Sequence, residues 1–395
     1  MSAWPAVKLG DVVRHVPRPV DVQFESMYRE MGIRSHGKGV FHKAPVSGAE
    51  LGDKRVFFVE PGDFVLNIVF AWEGAVALVS EAERGMIASH RFPTFRSDEQ
   101  RLDLRFLLLF FRMPRGVELL GRVSPGGAGR NRTLNRSAFL SLEIPLPPLP
   151  EQQRLVARID TIALEVSEAA RLGHSVEIET AAFARVASRA IAEARTQAYP
   201  SVPLGDLVAI RGGGTPSKSD PFYWDGDIPW ITPKDMKRRM LADAIDHISQ
   251  RATRETAAKL INPGAVLVVT RGMILAHTVP SAVLVSPAAI NQDMKALVPG
   301  SHLLAEYLCS LLWSWNDSML ERVEKSTHDT RKLETAKLLA FAIPVPPLAE
   351  QRSIVADLDA LQAEVDALRT AQAASRAELD ALLPAVLYRA FADAL

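Results

Sequence analysis

Two stretches of the chain place an apolar side chain at alternating steps of four and three residues, a spacing that keeps one stripe along a helix. Leu155, Ile159, Ile162, Val166 and Ala169 make the first stripe; Ile354, Leu358, Leu361, Val365 and Leu368 make the second. Both weaken, at Gly173 and at 372–375, and resume over 176–183 and at Leu379, Leu382 and Val386. The stripes match in length and phase, so each helix is an economical partner for the other. Seams turned toward each other give an antiparallel pair, alone or completed by helices of another protein. The other reading open at this point is two amphipathic helices, each packed on its own domain. About forty residues of helix extend about 60 Å, enough to hold two globular parts apart. Pro384 is expected to break or kink the second helix.

Ahead of each helix the pattern shortens to β-type runs separated by Gly or Pro: 55–59, 64–70 and 74–79 in the first half, 266–269 and 282–285 in the second. Residues 106–112 and 303–315 read as helical. The halves also repeat one another. Residues 144–160 return as 343–359 with ten of 17 positions identical at an offset of 199. Residues 7–13 are echoed by 202–208, and Pro61-Gly62 by Pro263-Gly264. Three echoes in one order indicate a duplication. Each proline-rich joint must be extended, because proline fixes its own φ and keeps its predecessor out of the helical region. The helices are therefore expected to start near Glu151 and Glu350. The resulting fold class is α+β: two tandem mixed α/β domains, 1–148 and 200–346, separated by long helices, 149–199 and 347–395. The helices pair as an antiparallel coiled coil in a pseudo-twofold internal repeat.

Composition narrows the class without deciding it. The chain has 395 residues, 48% hydrophobic and 23% charged, enough apolar material for more than one core. The longest strongly apolar run, 106–111, is far short of a membrane span. The opening Met1-Ser2-Ala3-Trp4-Pro5 is not expected to act as a signal peptide, and Cys309 is the single cysteine. A cytoplasmic location without a disulfide framework fits. Net charge is zero, yet 101–136 carries eight arginines against Asp103 and Glu118, while 350–395 carries eight acids against four arginines. Such segregation either presents a basic face to phosphates or is ordinary solvated surface.

The chemistry inventory is marked first by what it lacks. Residues 211–219, Arg-Gly-Gly-Gly-Thr-Pro-Ser-Lys-Ser, put Ser217 where a phosphate-cradling loop needs its second glycine. There is no dinucleotide fingerprint, no H-E-x-x-H, and Asn262-Pro263-Gly264-Ala265 is not a methyltransferase tetrapeptide. Neither a metal site nor a catalytic residue is expected. What is present suits polar contact with nucleic acid, through glycine-punctuated loops rich in Arg, Lys, Ser, Asn and Gln. The first half offers Arg34, Ser35, His36 and Lys38, then His90 and Arg91, then Arg130, Asn131 and Arg132. The second offers Thr215, Ser217 and Lys218, then Trp230, Thr232 and Lys234, then Asn291 and Gln292, then Thr327, His328, Arg331 and Lys332. Taken singly, each loop reads equally as solvated surface. Their recurrence at matching stations with different side chains is what two readers of different sequences would show.

The paired Ile-Pro-x-Pro-Pro-Leu-x-Glu-Gln segments at 144–152 and 343–351 resemble those of Type I restriction–modification specificity subunits. So do Leu204-Gly-Asp206, Gly213-Gly-Thr-Pro-Ser217, 226–232 and Asp235 in the second half, and 32–41, 47–50 and Pro61-Gly62 in the first. Ala349 departs from the pattern, standing where the first copy has Pro150. The resemblance implies a noncatalytic reader of double-stranded DNA. Each globular domain would read half of a split target, while the helices set the gap and dock two methyltransferase subunits. A restriction subunit joins in complete systems, and S-adenosylmethionine, ATP and magnesium belong to the partners, with no cofactor on this chain. The competing classes are an enzyme, disfavoured by the missing cofactor and catalytic motifs, and a protein–protein adaptor whose helices are the working part.

Overall fold

A computed structural model of the chain describes residues 4–126, 132–325 and 330–392. It divides into two compact units, Met1–Gly173 with Ala374–Leu395 and His174–Ala373, so each unit holds one end of both long helices. In the first unit, strands Val13–His15, Thr94–Ser97, Phe64–Leu66 and Val76–Leu78 form an antiparallel sheet in that spatial order. Helices Leu104–Arg112 and Pro114–Arg122 follow, the former capped by Asp103, whose Oδ1 accepts from Arg105 N at 2.8 Å. Phe64, Phe95, Phe106, Phe110, Phe111 and Phe139 are fully buried in its core. Each such side chain contributes about 1.5–3 kcal/mol relative to exposure.

The second unit has a five-stranded mixed sheet in the order Val208–Gly212, Met294–Pro299, Val266–Val269, Ser281–Leu284 and Met240–Leu241. Beside it lie three strands, Asp246–Ile248, Ile228–Ile231 and Ala289–Ile290. Helices Ala305–Ser314 and Asn316–Leu320 stand where the first unit has its own helix pair. Among the described residues no helix is long and apolar enough to cross a membrane.

Each echo in the sequence has a structural reason. Strand Ala6–Lys8 pairs with Glu143–Pro145, placing Val7 opposite Ile144. Ser201–Pro203 pairs with Ala342–Pro344, placing Val202 opposite Ile343. The opening echo and the joint echo are thus the two strands of one ribbon, built twice. Gly62 and Gly264 have φ of 85° and 86°, a region that penalises a Cβ, and their N–H groups donate to Val79 O and Leu284 O, each at 2.8 Å. The glutamines explain the end of the joint. Gln152 is fully buried; its Nε2 donates to Pro147 O and Arg101 O, each at 2.8 Å, while its Oε1 accepts from Asp103 N at 2.9 Å. Gln351 repeats this with Pro346 O, His302 O and Leu304 N, all at 2.8 Å. One side chain therefore ties a joint, a helix start and the loop before the domain's buried helix. Gln152→Met, which keeps the length and removes the hydrogen bonds, is expected to cost about 2–4 kcal/mol by taking this partner from the buried Pro147 O and the part-buried Arg101 O and Asp103 N. Urea denaturation checks this; a loss under about 1 kcal/mol would show that the bonds are dispensable.

The helices run over Leu149–Thr196 and Leu348–Ala392, each starting two residues before the expected Glu151 and Glu350. Pro150 sits in the first turn, where its missing N–H has no intrahelical acceptor to lose. Pro384 is carried inside the second helix and does not end it. In the first unit Val156 and Ile159 are buried with Phe391, while Leu155, Leu383 and Leu387 pack around them. In the second, Ile354 and Leu358 are buried with Ala192, and Arg195 pairs with Glu350 at 2.8 Å and also with Asp357. The start of one helix meets the end of the other, which is antiparallel pairing. Both readings of the stripe hold in part, since its first two turns also pack on the adjoining globular core.

Ile162, Val166 and Leu361 are half-buried and Val365 is buried, but Leu368 is 47% exposed. The resumed stripe is likewise open, with Phe183 62% and Leu382 43% exposed. Leu368, expected in the seam, is therefore outside it. A straight 3.6-residue helix rotates a 3.5-residue stripe by about 20° per heptad, so the stripe drifts off the seam after a few turns. A polar contact, Gln372 Nε2 to buried Thr180 Oγ1 at 2.9 Å, lies near that point.

Candidate nucleic-acid interface

In the first unit the connection 67–74, between strands Phe64–Leu66 and Val76–Leu78, gathers the loops singled out from the sequence. Its Ile68 N donates to Arg91 O at 2.9 Å, and its Ile68 O accepts from Leu134 N at 2.8 Å. At its far end Glu73 O and Gly74 O accept from His36 N and Gly37 N at 2.7 and 3.0 Å. His36 has a φ of 60°, unusual for a non-glycine residue, and Ser35 Oγ donates to Glu73 Oε2 at 2.7 Å, so this loop is held rather than free. Arg34 and Lys38 stay exposed; the Arg34 guanidinium lies 5.2 Å from the Phe41 ring. Arg132 stacks over Trp72 at 4.9 Å. Arg130 and Asn131 lie outside the described residues.

Sequence reasoning missed several cations here. Arg112 lies against Gly37, where an added Cβ would meet its Cγ at 3.1 Å. It has an open face to solvent, yet packing around its guanidinium lowers its pKa, and no carboxylate pairs with it among the described residues. On the other side of Ile68 a cavity of about 890 Å³ is lined by His15, Arg55, His90 and Arg136 among others. His15 is held below the usual histidine pKa by burial and then by Arg136. The signal available for Arg112 and Arg136 was their place in the arginine-rich stretch. His15 and Arg55 had none, being brought in by strand pairing alone.

In the second unit the turn Asn291-Gln292-Asp293 has the corresponding gathering role. Gly214 N donates to Ile290 O at 2.9 Å, and a Cβ on Gly213 would meet the Ile290 and Asn291 carbonyl oxygens at 2.2 Å. Gly213 is needed for that approach, while a Cβ on Gly214 would meet Ala257 Cβ at 2.6 Å. The approach brings Thr215 Oγ1 into a hydrogen bond with Gln292 Oε1. Trp230, 7% exposed, donates Nε1 to Gly214 O at 2.9 Å and meets Trp224 edge-on at 5.0 Å. Trp224 Nε1 in turn donates to Ser217 O at 3.1 Å. Asp293 O accepts from Thr270 N and Arg271 N at 2.8 and 3.1 Å, and Gly272 N donates to Arg331 O at 3.0 Å.

A cavity of about 560 Å³ opens in this cluster, lined by Lys218, Trp224, Trp230, Thr232, Lys234, Asp246 and Asn291 among others. Lys218 and Lys234 make no ion pair among the described residues. Several candidates already have partners: Thr232 Oγ1 donates to Asp235 at 2.9 Å, Asn291 Oδ1 accepts from Asp293 N at 3.1 Å, and Lys332 pairs with Glu334 at 2.6 Å. Thr327 and His328 lie outside the described residues. Free lysines and arginines suit phosphates or guanine edges, and Asp246 can accept from a base amino group.

The two clusters are built alike. Leu134 N donates to Ile68 O and Leu333 N to Thr270 O, at 2.8 and 2.9 Å. The family described as "Type I restriction modification DNA specificity domain" matches residues 54–172 and 198–374, most of both halves. The chain belongs to this family. Within it, the chain is 38% identical over 157 residues to the EcoR124I/EcoR124II specificity subunit of Escherichia coli, covering 40% of this chain and 39% of that one. It is 28% identical over 154 residues to the MjaIX specificity subunit of Methanocaldococcus jannaschii, covering 38% and 35%. The match thus spans under two fifths of the length of these curated relatives. In fold, the whole chain is similar to the HsdS subunit of Thermoanaerobacter tengcongensis, at 24% identity, 97% coverage of that chain and a TM-score of 0.60. It is also similar, at 24% identity, 99% coverage and a TM-score of 0.72, to a chain from a structure on complex assembly and conformational transition of the type I R-M system.

Proposed function

We propose that each unit of this specificity-family chain reads one half of a split double-stranded DNA target. In this reading the paired helices set the gap and dock two methyltransferase subunits, and the chain carries no catalytic step itself. S-adenosylmethionine, ATP and magnesium act on the partners, which include a restriction subunit in a complete system. The observation that carries the reading is the likeness of the two clusters. Each hangs basic loops on the same backbone bonds, but with different side chains, as two readers of different half-sites require. The first helix supports docking: in the second unit its Ile178, Phe183 and Val186 are 59–67% exposed.

Reversing Lys218 and Lys234 together to glutamate is expected to lower DNA affinity of the complex with its methyltransferase by at least about tenfold and to flatten its salt dependence. Base-modification sequencing of cells with and without the gene should show one gapped, asymmetric motif disappearing. Unchanged affinity together with an unchanged methylome would sink the DNA-reading role and favour an adaptor.

A further inference from the structure

The turn Met273–Ala276 in the second unit presents two large apolar side chains on a rigid support. It follows strand Val266–Val269 and is entered through Gly272 at a φ of 133°. Asp293 O holds the residues just before it, Arg331 O accepts from Gly272 N, and Leu275, 1% exposed, anchors it in the core. Met273 is nonetheless 63% exposed and Ile274 41% exposed. The flanking Arg271 and Arg331 make no ion pair among the described residues. At the matching station of the first unit, counted from the paired Ile68 and Thr270 carbonyls, stand buried Ala71 and half-buried Trp72, the latter covered by Arg132. The second unit alone keeps its apolar tip open between cations.

A surface of this kind fits a polyanion that also offers an apolar group. In the major groove of duplex DNA that group is the C5 methyl of thymine. We propose that Met273 and Ile274 contact a thymine methyl in the half-site read by the second unit, and so contribute its choice of an A·T pair. The inference rests on the DNA-reading role proposed above.

The test uses the chain with its methyltransferase and duplexes carrying the methylated motif, each half-site thymine being replaced in turn by deoxyuridine. Loss of the methyl should weaken binding about three- to tenfold at one thymine of one half-site. The Met273→Ala/Ile274→Ala variant should bind the thymine and deoxyuridine duplexes equally. Met273→Gln, which keeps length and loses apolarity, should behave the same way without disturbing the fold. Sensitivity to deoxyuridine that persists in the variants, or is absent from the wild type while Lys218→Glu/Lys234→Glu still weakens binding, overturns the methyl contact alone. If the lysine variant binds DNA normally, the reading role has failed and the inference with it. Loss of the methyltransferase by the Met273→Ala/Ile274→Ala variant would make the turn a protein contact and overturn the proposal.

Discussion

Replacing Asp63 with alanine is expected to destabilise the first unit by about 3 kcal/mol, at the low end of what breaking a buried ion pair costs. The carboxylate is wholly inaccessible, and each of its oxygens accepts two hydrogen bonds. Arg18 donates at 2.7 and 3.0 Å, Arg96 Nε at 2.6 Å and Glu60 N at 2.9 Å. Removing it leaves two guanidiniums facing each other and an orphaned amide. The arginines are 26% and 29% exposed, so solvent screens part of the repulsion, which places the expected loss at the lower end. The second unit supplies a contrast, because the matching residue, Ala265, is 1% exposed in an apolar core. One copy of the Pro-Gly turn is stapled by charge and the other by packing. Converting the staple wholesale, with Asp63→Ala, Arg18→Leu and Arg96→Leu together, should therefore recover most of the stability lost by Asp63→Ala alone. Urea midpoints of the single and triple variants decide this. A triple variant less stable than the single would mean that the charges stabilise the turn in their own right. The turn feeds strand Phe64–Leu66 and then the 67–74 connection, so under the proposed DNA-reading role a loosened staple should also weaken DNA binding by the first unit.

What the sequence made legible was whatever leaves a local or repeated mark. The Pro-rich joints, the Pro-Gly turns and the opening strands were visible because the same backbone problem had been solved twice with nearly the same residues. The Gly-Gly turn, the Trp230 strand and the Asn291 turn of the second half come together through close backbone approach, although each loop taken singly carried only a weak signal. The helix seam was legible only for its first turns. A stripe read as a perfect heptad has no way of showing where the helix rotates away, and Leu368 fell on the far side of that drift. Gln152 and Gln351 were seen as part of the echo, but their work could not be read. Two of each buried glutamine's partners, a carbonyl and an amide, lie some fifty residues away, and no spacing announces them. His15 and Arg55 were missed for the same reason, since only tertiary pairing places them on the cavity wall.

Phe391→Ala is expected to cost about 3–5 kcal/mol, the range for emptying a fully buried aromatic site. The ring is inaccessible, lies 5.3 Å from Phe106 and 5.9 Å from Trp4, and packs in the core of the first unit although it belongs to the chain's last turns. Hydrogen exchange should show the loss in helix Leu104–Arg112, while the five-stranded sheet of the second unit keeps its protection. Equal loss of protection in both units would contradict this assignment. The position has a partner in the repeat. Ala192, at the same offset of 199, is also fully buried and lies in the core of the second unit. The end of each long helix thus completes the core at the start of the other. The two copies fill that place with very different volumes, so opposite changes of volume should destabilise the two units. Emptying position 391 opens a cavity, whereas Ala192→Phe should overpack its site and destabilise the second unit by about 1–3 kcal/mol or more. If Ala192→Phe were neutral, the second core would hold spare room there, and the duplication would have kept the helix end without keeping its packing role.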